Sequence, residues 1–388
     1  MLNRKLILSL FLPFYAMNCL QQIYFLMGPM LEAQGISSQA TGWVISIFFV
    51  GVISSRPIGG WALERLGVRK TLILSSLFGV IGSVLLALFS TSVPMLLIAR
   101  LLTGFSFGGF IVGMLAHQAL VIPAEMKGSV FALITTGGML PMATVGPIGE
   151  WLLRSGNHAA YLWMGPILAL LCLYFGSKVG AGDVKISAKK EATWGKYSDL
   201  IKFRPFLLLG ATALPMSLVD ASIMSMANLA AEYKLIVSFF FSSAAIAGVL
   251  IRVAGSRFID RLPRKILIAP ALIMMASAIL WISLFPNNKI LLLGGTLFGA
   301  GIGIGFPVAL SLISDLLSKR LQPKGTVAIM LTFDTGWMLT PLIVGYASSV
   351  IGIDWTFRLL ALMGLLCALS THFWGWLPLH RRRKRKLS

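Results

Sequence analysis

The chain has 388 residues, of which 57% are hydrophobic and only 12% are charged, and its mean hydropathy is +0.86. This composition excludes a water-soluble domain, which would aggregate, and indicates a protein whose solvent is the bilayer. The formal net charge of +20 does not indicate nucleic acid as a partner, because Lys and Arg fall mainly in short connections between apolar runs.

Apolar runs of roughly 20 residues, the length a helix needs to cross about 30 Å of hydrocarbon, follow one another along the chain. Since backbone amides in lipid must bond within their own segment, and no short alternating strand pattern occurs, each run predicts a helix. The sequence therefore predicts an all-α membrane protein with twelve transmembrane helices in two pseudo-symmetric six-helix halves. The predicted spans are 6–31, 41–62, 71–91, 93–117, 127–154, 158–180, 205–230, 236–260, 266–285, 288–316, 325–350 and 355–378.

The connections between these spans are short, except for a basic stretch at 181–204. This linker, in which we predict a short surface helix, separates an N-terminal half at 1–180 from a C-terminal half at 205–388. Placing the linker and both termini in the cytoplasm puts most Lys and Arg on that side, which orients the chain by the positive-inside rule. The basic tail at 381–386 then predicts contact with anionic lipid, and the short loops favour a bacterial inner membrane.

The first span carries a cluster of buried amides. Asn18, Gln21 and Gln22 fall within one helical turn, and they predict a polar substrate-binding patch to which Tyr24 contributes. The alternative is that these amides only bind neighbouring helices.

The seventh span repeats the first, with Pro215 on Pro13 and Asp220 on Asn18 at an offset of 202. Opposite the amides, Met and Trp side chains predict an adaptable apolar wall for a substrate. Packing toward lipid is the alternative for each of them. The candidates that we assign to substrate binding are Met216 and Trp337.

A charged motif at the end of the second span returns, altered, at the end of the eighth. Shifting the first copy by 196 residues puts Arg56 on Arg252 and Arg65 on Arg261, which indicates an internal duplication. The motif combines a small residue that allows close helix approach, a carboxylate near a helix end, and arginines that pair or cap. Contacts of this kind can open and close.

The first copy, Gly60-x-x-x-Glu64-Arg65-x-Gly67-x-Arg69, resembles the loop pattern of the major facilitator superfamily, with glutamate where the family has aspartate. The resemblance covers essentially the whole chain and implies two halves that rock about a midplane site. It also implies that this charged cluster latches one half against the other. The alternative is that the cations only hold topology. The implied gating residues are Arg56, Gly60, Glu64, Arg65, Gly67, Arg69, Arg252, Asp260, Arg261 and Arg264.

Two further motifs are similar to patterns of that family. Arg100-Leu-Leu-Thr-Gly104 in the fourth span resembles Arg-x-x-Gln-Gly, and Gly146, Pro147 and Gly149 in the fifth approximate the glycine-proline motif of drug/proton antiporters. The second resemblance implies an exporter and adds these three residues to the gating set. The alternative is that they serve only close helix crossings.

Charged side chains inside the predicted spans need a partner or water, because an ionised group in hydrocarbon is costly. At about 1.5 Å per residue, Asp220 and Arg100 share a depth, and the resemblance places their helices around a central cavity. We hypothesise that Asp220 alternates between Arg100 and a proton, which couples proton entry to transport. Asp334, the third candidate for proton coupling, is predicted to pair with Arg56. Permanent structural ion pairs are the alternative.

The sequence thus predicts a secondary active transporter that exports a small organic or amphipathic molecule in exchange for protons. The alternative is proton-coupled uptake of a small polar solute, such as a metallophore or an amino-acid derivative. The Walker pattern of nucleotide sites is absent, and the Cys and His residues show no spacing typical of a metal or nucleophile site. We therefore predict no enzyme activity and no cofactor. The expected partners are a small-molecule substrate, protons and lipid, with no nucleic acid, and the expected state is a monomer.

Overall fold

The computed structural model describes residues 4–122, 127–179, 197–254 and 262–379. Within these ranges the regular structure is entirely helical, which confirms the all-α prediction. The earlier helices are α1 (Arg4–Gln22), α2 (Met27–Ala33), α3 (Ser38–Leu88), α4 (Val93–Val121), α5 (Lys127–Thr136), α6 (Pro141–Arg154) and α7 (His158–Lys178). The later ones are α8 (Tyr197–Lys202), α9 (Arg204–Ala221), α10 (Met226–Glu232), α11 (Ser238–Val253), α12 (Arg264–Leu284), α13 (Asn288–Leu316), α14 (Gln322–Ile351) and α15 (Ile353–Ser370).

Nine helices among the described residues are long and apolar enough to cross a membrane. The number is below twelve because the predicted span 41–62 and all but the last three residues of 71–91 lie in the 51-residue helix α3. The fifth span is divided between α5 and α6, and the eighth corresponds to the shorter apolar helix α11. Each of the twelve predicted spans therefore contains helix in the structure.

The bend inside α3 lies at Gly67, where φ is 76° and ψ is 172°. This backbone region is essentially closed to residues that carry a Cβ atom. Gly67 thus allows the chain to turn between the second and third spans. At Gly60, by contrast, no heavy atom of the described residues lies within 4 Å of a Cβ built there, and the close helix approach expected of the motif's small residue stays a prediction.

Replacing Gly67 by alanine is expected to destabilise the protein by about 1–2 kcal/mol, because alanine would have to hold the positive φ of the bend. Gly60→Ala is the matched control, since its new methyl group meets open space. Thermal unfolding of the two purified variants measures the difference. Equal melting temperatures for both variants would show that the bend does not depend on glycine.

The fifth span is interrupted between α5 and α6, where two glycines precede Pro141. Proline has no amide hydrogen, and the Met142 amide bonds to the carbonyl of Met139, three residues back. The carbonyl of Gly138 is therefore released from the usual helical pairing. A side chain of another helix can then bond to it.

Contacts divide the chain into two compact units: Met1–Lys189 with Pro341–Tyr346, and Lys190–Thr340 with Ala347–Ser388. In the first unit α3 packs along α4 and α7, and α1 contacts α4, α6 and α7. In the second unit α13 packs against α11 and α12, and α15 packs against α12 and α9. The predicted half boundary at 180 lies outside the described residues, and the division into halves and linker stays a prediction.

The first long segment of each unit has the same construction. A 3₁₀ turn separates α1 from α2 at Ile23–Leu26 and α9 from α10 at Ser222–Ser225, an offset of 199 residues. The positive-φ residues that follow, Gly35 and Lys234, keep this offset. Asp220 therefore corresponds to Gln21, and the alignment at 202 through the two prolines is wrong by three residues. Because three residues are nearly one helical turn, the face of the helix is preserved.

Each unit also contains a close helix crossing of the same kind. A Cβ on Gly104 of α4 would lie 1.9 Å from the carbonyl oxygen of Phe48 in α3, and one on Gly299 of α13 would lie 2.0 Å from that of Ala244 in α11. Glycine allows the two backbones to touch at both places. The crossing in the first unit positions Phe48 beside the next turn of α4, which carries Arg100.

Candidate functional site

The predicted polar patch is buried in the first unit. Asn18, Gln21 and Gln22 are each less than one-tenth exposed. The Asn18 amide donates to the carbonyl of Phe14 at 2.8 Å, and the Gln22 amide donates to the released carbonyl of Gly138 at 2.6 Å. Gln22 thus links α1 to the break in the fifth span. This is the role in binding a neighbouring helix that the sequence offers as the alternative to substrate binding. Substrate binding by these amides stays a prediction.

Arg100 is almost completely buried, with 1% of its surface exposed. Its guanidinium carbon lies 4.5 Å from the ring centroid of Phe48 and 5.1 Å from that of Tyr24. Both contacts are of the cation–π type and offset part of the cost of removing the cation from water. Among the described residues, Arg100 Nε, Arg100 Nη1 and the Tyr24 hydroxyl have no hydrogen-bond partner. The structure thus encloses a cation with unused donors.

The surroundings of Tyr24 fix its position. A Cβ on Gly165 of α7 would lie 1.9 Å from the Tyr24 hydroxyl oxygen, so this hydroxyl rests against the α7 backbone. On the same helix, Tyr161 donates a hydrogen bond to the carbonyl of Ile23 at 2.8 Å. Gly149 of the predicted fifth-span motif lies against Ile23, since its Cβ would be 2.7 Å from Ile23 Cδ1. The 3₁₀ turn after α1 is therefore held from α6 and α7.

Asp220 is buried near the end of α9 in the second unit, with 9% of its surface exposed. The side chain of Trp337 donates a hydrogen bond to its carboxylate, and Arg252 attracts it electrostatically. All three residues belong to this unit. The structure thus brings together residues predicted for proton coupling, substrate binding and gating.

Close packing of α14 on α9 brings Trp337 to Asp220. A Cβ on Gly336 would lie 1.9 Å from the hydroxyl oxygen of Ser217, so the two helices almost touch there. One turn further along α14, the Thr340 hydroxyl donates to the carbonyl of Leu218 at 3.0 Å. These two contacts flank Trp337 and direct its indole toward the carboxylate. Met216, predicted to line the substrate wall, is buried with 1% exposure, and its Cε would lie 2.1 Å from a Cβ built on Gly305 of α13.

Trp337→Phe is expected to lower the rate of proton-driven transport several-fold, because phenylalanine keeps the ring but cannot donate a hydrogen bond to Asp220. Trp281→Phe serves as the control, since Trp281 is an exposed tryptophan of α12. Initial transport rates in vesicles of equal protein content compare the variants. Similar rates for both would mean that the indole hydrogen bond does not contribute.

The residues predicted for gating are only partly connected in the structure. Arg264, at the start of α12, forms an ion pair with Asp315 near the end of α13, at 3.0 Å between Nη1 and Oδ1. In the first copy of the motif the side chains of Glu64, Arg65 and Arg69 are exposed, and Arg56 is half-buried. The predicted residues Asp260 and Arg261 lie outside the described residues. The latch between halves stays a prediction, as does the pairing of Arg56 with Asp334.

Sequence reasoning missed two participants in these sites. Phe48 is uncharged and belongs to none of the motifs. Its ring reaches Arg100 because α3 and α4 cross closely at Gly104. Asp315 could have been found, because α12 and α13 are antiparallel neighbours joined by a short loop, so the start of one helix meets the end of the next. A carboxylate at the end of the tenth span is then a natural partner for Arg264.

The sequence profile described as Major Facilitator Superfamily matches residues 6–285 and 221–388. The chain therefore belongs to the Major Facilitator Superfamily and is a multi-pass membrane protein of the secondary transporter class. Solved structures agree on the fold: the inward-open xylose transporter XylE from E. coli is 15% identical, with a TM-score of 0.75 over 96% of both chains.

Relatives match this chain either at low identity over most of its length or at higher identity over a part of it. The glucose transporter GlcP of Staphylococcus epidermidis is 23% identical, over 85% of this chain and 84% of that protein. Probable anion transporter 5 of Arabidopsis thaliana is 33% identical over 122 residues, which are 31% of this chain and 27% of that protein. The chain therefore spans about a quarter of the length of the anion transporter that it matches.

Proposed function

We propose that this protein is a proton-coupled secondary active transporter that exports a small organic or amphipathic molecule across the bacterial inner membrane by alternating access. The observation that carries the proposal is the buried carboxylate of Asp220, which is hydrogen-bonded by Trp337 and attracted by Arg252. A carboxylate held among partners inside a membrane helix is a natural proton carrier. A purely structural ion pair would not need the indole donor.

The coupling that we propose links proton exchange at Asp220 to Arg100. When Asp220 is charged it is drawn to cations, and when it is protonated it releases them. Arg100 has unused donors in this structure, which suits a residue that changes partners during the cycle. Asp334 and Arg56 form the second proposed pair, and breaking this pair would act as a switch element.

Proton-coupled uptake of a small polar solute is the second candidate. It is favoured by Glu150, a buried carboxylate that directly follows Gly149 of the glycine-proline motif and lies 3.4 Å from Arg154. The relatives' names do not choose between the directions, since they describe transporters of glucose and of anions. Cytoplasmic termini and contact of the basic tail with anionic lipid belong to the same proposal.

Reconstituted vesicles with an imposed pH gradient test this function. A panel of small organic compounds is supplied in turn, and the decay of the gradient is recorded with a pH-sensitive dye. A substrate is expected to accelerate the decay, and the sign of the gradient that drives its movement separates export from uptake. If compounds were transported by the protein without altering the decay of the pH gradient, proton coupling would be contradicted.

A further inference from the structure

The cation Arg100 in the first unit has no counter-ion among the described residues. Among the described residues of this unit, the buried acidic side chain is Glu150, which lies 3.4 Å from Arg154. Arg100 Nε and Nη1 are both buried without an acceptor among the described residues, and Tyr24, whose ring contacts the guanidinium, has a buried hydroxyl without a partner. Leaving a charge unpaired in a low-dielectric interior costs several kcal/mol. The two rings against the guanidinium return only part of that cost.

Packing fixes the positions of the guanidinium and the hydroxyl. The glycine crossing at Gly104 fixes α4 against the first part of α3, and a Cβ on Gly82, in the part of α3 after the bend, would lie 2.7 Å from the carbonyl oxygen of Ala99 in α4. Tyr24 is held by the α7 backbone at Gly165. The guanidinium and the hydroxyl therefore keep their positions whether or not a partner is bound, which is the preorganisation that a binding site needs.

We propose that Arg100 and Tyr24 form an anion subsite that binds the carboxylate of the transported solute. One buried cation with one added hydroxyl donor matches a single negative charge, whereas a phosphate dianion would leave an uncompensated charge in the low-dielectric interior. The carboxylate accepts hydrogen bonds from the guanidinium and from the hydroxyl. The inference rests on the proposed transport function, because the subsite is covered in this structure and is reached during the transport cycle.

Equilibrium binding of three radiolabelled acids to the purified full-length protein tests this subsite. The probes are benzoate, nicotinate and lactate, each with its uncharged amide as an unlabelled competitor. We expect at least one acid to bind saturably, its own unlabelled acid to displace it, and its amide to compete at least tenfold more weakly. Failure of all three acids to bind, or equal competition by acid and amide, would overturn the subsite.

Variants assign the binding to these residues. Arg100→Gln is expected to weaken acid binding by tenfold or more, Arg100→Lys by less, and Tyr24→Phe by several-fold, in line with the loss of charge-assisted hydrogen bonds. Arg154→Gln is the control, since Arg154 is a half-exposed cation of the same unit that already lies beside Glu150. Unchanged binding in Arg100→Gln would refute the proposal. Should that variant fail to fold, Arg100→Lys and Tyr24→Phe decide, and wild-type affinity in both would count against the subsite.

The two proposals fail in different measurements. Acid binding is measured without a pH gradient, so it remains intact if proton coupling is wrong. Conversely, proton-driven transport of a neutral compound by wild-type protein that binds none of the three acids would leave the transport function standing while the anion subsite falls.

Discussion

Asp220→Asn is expected to lower proton-driven transport at least tenfold, while substrate exchange across the vesicle membrane without a gradient continues. Asparagine has nearly the same shape and can still accept the Trp337 hydrogen bond, but it cannot take up or release a proton. The loss of gradient-driven movement alone therefore separates a proton carrier from a structural residue. Initial rates with and without an imposed pH gradient, in vesicles of equal protein content, measure both activities.

Asp199→Asn provides the matched control for this experiment, because Asp199 is an exposed carboxylate on the short helix α8, outside the spans. It is expected to keep both activities. Gradient-driven transport that survives in Asp220→Asn would remove the proton-carrier role. Loss of exchange together with gradient-driven transport would indicate that Asp220 is needed for folding or substrate binding.

Gly104→Ala is expected to produce the largest loss of stability, by about 1–3 kcal/mol or more. Its methyl group would lie 1.9 Å from the carbonyl oxygen of Phe48, so α3 and α4 would have to move apart. The movement would also carry Arg100 away from the Phe48 ring. The yield of monodisperse protein and its melting temperature, both after detergent extraction, measure the effect.

Gly210→Ala is the control for this substitution. Gly210 also lies inside a helix, α9, but no heavy atom of the described residues is within 4 Å of a Cβ built there. Alanine favours helix over glycine by roughly 1 kcal/mol, so this variant is expected to be as stable as the wild type or more so. If Gly104→Ala melted at the same temperature as Gly210→Ala, the crossing would have to be looser than the structure shows.

The candidate site could be predicted from the sequence only as a set of unusual residues. Arg100, Asp220 and the amides of the first span stand out because charges and amides are rare in apolar runs. Their neighbours are not predictable in this way, because the contact between Trp337 and Asp220 depends on Gly336 and Thr340 of another helix. The position of a single glycine decides how closely two helices approach.

The sequence by itself determined the membrane environment, the helical class, the positions of the twelve spans and the internal duplication. These properties depend on the local number and spacing of apolar residues. In lipid the backbone amides and carbonyls must also pair with one another, which restricts a spanning segment to a helix or a closed barrel. Only the tertiary structure decided that Asp220 corresponds to Gln21, that Gln22 bonds to Gly138, and that Arg100 lies between Tyr24 and Phe48. These features depend on backbone breaks and close helix crossings, in which residues far apart in the chain meet, and hydrophobicity along one segment carries no information about such partners.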